Sequence, residues 1–129
     1  EPIARSAYSF ITDSVVEEVG FCTSDDGQYG CSPDGLIGEE GLLEIKCPTL
    51  PVAIEYLDKG VLPSAYFQQV QGQLLVTGRE WCDFFSYYPG LPPLLVRARR
   101  NKKFLVVLRN ELAVFCNELD ALTERLRQK

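Results

Sequence analysis

Gly30-Cys31-Ser32-Pro33-Asp34-Gly35 and, a few residues on, Leu43-Glu44-Ile45-Lys46-Cys47-Pro48 decide how this chain is read. Asp34 and Glu44 stand ten positions apart, and a lysine follows the second acid by two. The intervening Ile37-Gly38-Glu39-Glu40-Gly41 is rich in turn formers, which folds the first segment back onto the second. Side chains two apart on a strand share a face, so Glu44 and Lys46 point one way while Leu43 and Ile45 enter a core. The result is a carboxylate pair beside an ammonium on rigid sheet, a place for a hard divalent cation and a phosphate. The same residues also fit an ordinary Asp-Gly turn followed by a surface Glu–Lys pair, and spacing alone leaves both readings open.

Oxygen ligands from Asp34 and Glu44 suit Mg²⁺ or Mn²⁺, with the Ile45 carbonyl as a third donor. Such ions activate water and stabilise a leaving oxygen, and Lys46 would hold the water and neutralise charge on the phosphate. Ser32, two before Asp34, is placed to donate to a phosphate oxygen. A second informative element runs from Pro63 to Thr77, where Phe67, Val70 and Leu74 make an apolar helical stripe ending at Gly78. Tyr66, Gln69 and Gln73 repeat beside it, a solvated surface unless that face meets the hairpin.

Upstream, Glu1 to Asp13 reads as a helix with Ile3, Ala7, Phe10 and Ile11 on one face and Glu1 at its start. Val15 to Cys22 reads as a strand, leading through the Asp25-Asp26-Gly27 turn; those acids lack the ligand spacing of a calcium loop. Val52 to Lys59 is a short helix ending at Gly60. Trp81 to Tyr88 reads as the central core strand, its aromatics serving packing rather than base stacking. Leu94 to Arg99 and Phe104 to Leu108 read as a hairpin with a basic tip. Its cations, Arg97, Arg99, Arg100, Lys102 and Lys103, are either solvated or candidate DNA or subunit contacts. Asn110 would then cap a last helix whose Leu112, Phe115, Leu119, Leu122 and Leu126 form a core or subunit stripe. Together these elements predict an α/β (α+β) domain, a mixed central sheet flanked by helices.

At 129 residues the chain fits one domain with a real core, and no apolar run reaches membrane-spanning length. A net charge of −5 speaks against a protein that merely coats nucleic acid, although bound cations would offset carboxylates locally. The absence of histidine removes Ser-His-Asp and Cys-His catalysis and histidine-ligated zinc. Five cysteines without a C-x-x-C pair read as reduced thiols of a cytosolic protein, with a Cys22–Cys31 bridge the minor alternative.

Ser32-Pro33-Asp34-Gly35 with Leu43-Glu44-Ile45-Lys46-Cys47-Pro48 resembles the PD-(D/E)xK nuclease core. More narrowly it resembles the phage lambda exonuclease family, the YqaJ-like viral recombinase nucleases. Ser64-Ala65-Tyr66-Phe67-Gln68-Gln69-Val70-Gln71 is similar to that family's helix motif, and Trp81 to Pro89 follows at the family's distance. Glu1-Pro2-Ile3-Ala4-Arg5 resembles its upstream acidic motif.

The resemblance implies a restriction-endonuclease-like fold with Asp34 and Glu44 as metal ligands and Lys46 as the catalytic lysine. It further implies Tyr66 and Gln69 as active-site residues and Glu1 as an additional acid near the metals, with two Mg²⁺ ions expected per site. The implied activity is 5′-to-3′ digestion of one strand of linear double-stranded DNA in the cytoplasm of a bacterial or phage-infected cell. The 3′ single strand left behind would go to a single-strand annealing protein, and the implied assembly is a homotrimer. The family carries a DNA-gripping segment ahead of the acidic motif that nothing here matches. Residues 1–129 are therefore expected to be the nuclease core of a longer protein. An endonuclease or repair nuclease on the same core, and a domain that binds DNA or a partner without cutting, are the competing readings.

Overall fold

The computed structural model describes all 129 residues. Pro2 sits where a helix tolerates it, and α1 runs Pro2–Thr12 before stopping at Asp13 in the left-handed region (φ 54°). Of its apolar stripe only Ala7 packs against the core. Ile3 and Phe10 are 70% and 89% exposed, and Ile11 is exposed too, while Ala4 and Tyr8 are fully buried. Small Ala4 lets the helix approach the sheet, and Tyr8 has a buried partner there: its hydroxyl donates to Asp83 Oδ2 at 2.6 Å.

The segment expected as one strand, Val15 to Cys22, divides into two around Gly20, a residue that weakens strands. β1 (Val16–Glu17) joins the main sheet, whereas β2 (Cys22–Thr23) pairs antiparallel with β3 (Gly30–Cys31) in a separate hairpin. β4 (Gly35–Ile37) and β5 (Gly41–Lys46) form the expected hairpin, with Gly35 opposite Leu43. Then come α2 (Leu50–Lys59), a 3₁₀ turn (Ser64–Tyr66), α3 (Phe67–Thr77) and β6 (Trp81–Ser86). The order of the five-stranded sheet is β1-β4-β5-β6-β7, with β7 spanning Leu94–Arg99. β5 and β6 are parallel and every other pair is antiparallel. The middle strand is thus β5, not the aromatic β6, which is its interior neighbour. Gly41 lies directly under the Trp81 ring, so a side chain there would have to displace that ring.

The second half of the expected basic hairpin is helical. Asn101 caps α4 (Lys102–Arg127) by accepting from the Phe104 N–H at 3.0 Å, and Asn110 lies inside the helix rather than at its start. Leu105 of α4 is buried and Leu112 half-buried, but Phe115, Leu119, Leu122 and Leu126 are exposed. No helix is long and apolar enough to cross a membrane.

Alternation along β5 builds the two layers. Leu43 and Ile45 pack with Ile37, Phe85, Ala4 and Tyr8 under α1. Leu42 turns the other way, onto Val70 and Leu74 of α3 and Cys82 of β6. Glu44 shares that second face, and this puts a carboxylate beneath α3.

Tyr8 gives the fold a pH signature. Burial, then the Asp83 hydrogen bond and charge, push its phenol well above the ordinary value. A raised folded-state pKa means that the linked stability is complete below the unfolded value of about 10 and is lost as pH rises beyond it. Unfolding free energy from urea titrations should therefore fall from about pH 10 upward, and fall less in Tyr8→Phe. Parallel profiles for the two proteins would contradict this.

Candidate active site

Asp34 reaches its place through the backbone on both sides. Its N–H donates to Leu43 C=O at 3.1 Å, and its carboxylate Oδ2 accepts the Ile45 N–H at 2.7 Å. These bonds tie the Ser32-Pro33-Asp34 turn to the middle strand, so the aspartate is fixed one residue from Glu44. Arg5 of α1 adds a third tie, donating from Nη1 to the Asp34 carbonyl at 2.5 Å and from Nη2 to Glu1 Oε1 at 2.6 Å.

Glu44 is buried, and donors address both of its oxygens. Gln73 Nε2 donates to Oε2 at 2.8 Å, and Gln69 Nε2 donates to Oε1 at 3.1 Å. Lys46 Nζ stands 3.3 Å from Oε1 and 4.9 Å above the centre of the Tyr66 ring. Tyr66 itself rests on Phe84 with ring centres 5.2 Å apart. Burial pushes the Glu44 carboxyl above its ordinary range and the neighbouring Asp34 charge adds to this, while Gln73 and Lys46 pull the other way. A buried carboxylate opposed by a second carboxylate is an arrangement that disfavours its own charge until a cation joins it.

The polar face of α3 therefore does meet the hairpin, as a functional reading requires and a solvated surface would not. Gln73 matters more here than the spacing indicated. It is buried, and having given its NH₂ to Glu44 it leaves its own carbonyl oxygen without a partner. Buried acceptors are rarely left so, and the trade is a fixed Glu44 carboxylate. Its three- and seven-residue offsets from Val70 and Tyr66 were the available signal.

The other expected residues are placed more loosely. Ser32 is exposed and lines a cleft with Gln69 and Gln73, between the β2–β3 hairpin, α3 and α4. Glu1 is paired with Arg5 at the start of α1, and no three acids or thiols converge into a ready-made metal cage. The Ile45 side chain is buried. Of the basic run, Arg97 pairs with Asp83 and lies 3.5 Å over the Trp81 ring. Arg100 donates to the Leu74 and Arg79 carbonyls, while Arg99 and Lys102 are exposed. The Asp83–Tyr8–Arg97 network and the Arg5–Asp34 contact were not visible in the sequence, because they join residues 14 to 75 positions apart.

The donor set nonetheless suits Mg²⁺ or Mn²⁺. It is all oxygen, it holds two repelling carboxylates, and Mg²⁺ keeps several waters and shares substrate phosphates rather than seeking a full protein cage. Asp34 and Glu44 would hold the ion, with Lys46 beside it.

A mixed sheet whose central hairpin sets two acids and a lysine under a glutamine-bearing helix is the architecture of a PD-(D/E)xK nuclease. The family model of the YqaJ-like viral recombinase domain matches residues 1–80. The crystal structure of an alkaline exonuclease (LHK-Exo) from Laribacter hongkongensis superposes with a TM-score of 0.90 at 38% identity, covering 98% of this chain and 68% of that one. LHK-Exo in complex with dAMP gives 0.89 with the same identity and coverage. No curated protein matches. The chain belongs to the YqaJ-like viral recombinase family. It is a nuclease, with the fold of the alkaline exonucleases.

Proposed function

We propose that this nuclease is an Mg²⁺-dependent 5′-to-3′ exonuclease that digests one strand of linear duplex DNA and leaves 3′ single-stranded ends. The observation that carries the metal-dependent part is Glu44, buried next to Asp34 with both oxygens held by donors. The strand polarity, the duplex-end substrate, an annealing protein as recipient, a homotrimeric assembly and a bacterial or phage-infected cytoplasm rest on family likeness.

On this reading Asp34 and Glu44 bind the divalent cation, and Gln69 and Gln73 keep the Glu44 carboxylate in one plane while it does so. The cation supplies neutralisation of phosphate charge and acidification of water. Lys46, steadied over the Tyr66 ring, reaches the scissile phosphate and counters the charge that grows there. Ser32, exposed on the cleft wall, donates to a phosphate oxygen. Arg5 keeps the Asp34 turn seated on α1.

Linear duplex DNA labelled at either end, set against a closed circle, tests this with Mg²⁺ or with a chelator. Loss of label from 5′ ends that needs metal, with the circle spared and a folded Lys46→Ala chain slower by about a thousandfold, is the expected result. A cut circle would instead make the chain an endonuclease on the same core. Digestion that persists in chelator would remove the metal from the account.

A further inference from the structure

We propose that Cys22 and Cys31 close a reversible disulfide across the β2–β3 hairpin, and that closing it slows the nuclease. The two residues are direct register partners in that antiparallel pair, so their side chains leave the same face. The Ser24 N–H donates to Tyr29 C=O at 2.8 Å, and alternation from that pair makes Cys22–Cys31 a hydrogen-bonded pair as well. Such partners lie about 5.5 Å apart between Cα atoms, inside the span of about 4.4–6.8 Å that a disulfide bridges. Both thiols are free and half-buried, in contrast to exposed Cys47 and buried Cys82 and Cys116.

Position couples this pair to the site. Cys31 lines the same cleft as Ser32, Gln69 and Gln73, and the chain passes from it through Ser32 and Pro33 straight to Asp34. The hairpin consists of two residue pairs resting on α3, a small element that local forces can reshape. A bridge between hydrogen-bonded partners strains that geometry, and strained bridges are the readily reduced ones. The reaction needs a small-molecule disulfide such as oxidised glutathione. One cysteine attacks it and expels a thiol, the second cysteine displaces the other thiol, and two electrons pass from the protein to the reagent. Burial pushes the Cys31 thiol up to about 11, so exchange is slow near neutrality and is followed to equilibrium.

The 129-residue chain, carrying Cys47→Ser to remove the exposed thiol, is equilibrated in glutathione buffers from reducing to oxidising. It is then acid-quenched, alkylated and cut by chymotrypsin after Phe21, Tyr29 and Leu36. The expected product joins the peptide holding Cys22 to the peptide holding Cys31. DNA digestion should drop several-fold as that product accumulates and recover in dithiothreitol, while a Cys22→Ser chain forms no bridge and holds its rate. Separate alkylation of Cys22 and Cys31 at every buffer ratio would overturn the bridge. A rate indifferent to the bridge, or one that falls equally in Cys22→Ser, would overturn its control of the nuclease. Peptide mapping reads the bridge whatever the strand polarity of digestion.

Discussion

Glu44→Gln is expected to lower DNA digestion by about three orders of magnitude or more while leaving the fold as stable as before, or more so. On the proposed reading, the loss follows from removing one of the two charges that would hold the cation. The stability follows from the linkage sign. Burial raises the folded-state pKa of Glu44, so the linked stability is complete below the unfolded value of about 4.3 and declines as pH rises through the folded one. At neutral pH the ionised carboxylate is therefore a cost, and a neutral amide relieves it. Packing favours the substitution too, because Gln73 can turn its amide and offer its unpartnered carbonyl oxygen to the new NH₂. Thermal unfolding with and without Mg²⁺ gives a reading independent of turnover. The unsubstituted chain should gain about 2.7 kcal/mol at a hundredfold excess over its Kd, and the variant nothing. A variant that keeps the Mg²⁺ shift, or digests DNA within tenfold of the parent, would remove Glu44 from the metal site.

What could be read from the sequence, and what could not, divides along the range of the interactions. The two-residue period of a strand is local, so Leu43 and Ile45 inward with Glu44 and Lys46 opposite followed from spacing alone, and so did the fold-back through Gly38. The α3 face was visible as a repeat of Tyr66, Gln69 and Gln73, but that the two glutamine amides converge on Glu44 depends on a parallel crossover no local pattern encodes. Helix α1 carries two stripes, and the more apolar one is mostly turned outward. Tyr8 is drawn inward by an acid 75 residues away, which outweighs the greater apolarity of Ile3 and Phe10. Phe104 to Leu108 was expected as the second strand of a hairpin. The helix prevails because Asn101 caps it and Leu105, Leu108 and Leu112 continue a helical seam, the last two lying beside α3 residues.

Asp83→Ala is the substitution expected to cost the most stability. Asp83 is 1% exposed on β6 and accepts the Tyr8 hydroxyl at 2.6 Å, Arg97 Nε at 2.9 Å and Arg97 Nη2 at 3.1 Å. Truncation strands a buried phenol, opens a small void and frees an arginine. Arg97 is 44% exposed, so its share is screened, and the total comes to about 3 kcal/mol rather than the upper end for buried ion pairs. Asp83→Asn keeps one acceptor for Tyr8 and should cost about half as much. In a double-mutant cycle with Tyr8→Phe, the two losses should fall short of additivity by about 1 kcal/mol, since each removes the same bond. The damage to activity would be indirect. Tyr8 is what seats α1, α1 carries Arg5, and Arg5 holds the Asp34 carbonyl, so the variant should digest DNA poorly when warm and recover on cooling. Urea unfolding decides it: a loss below about 0.5 kcal/mol would mean that apolar packing of Ala4 and Tyr8 alone holds α1, and the buried aspartate is incidental.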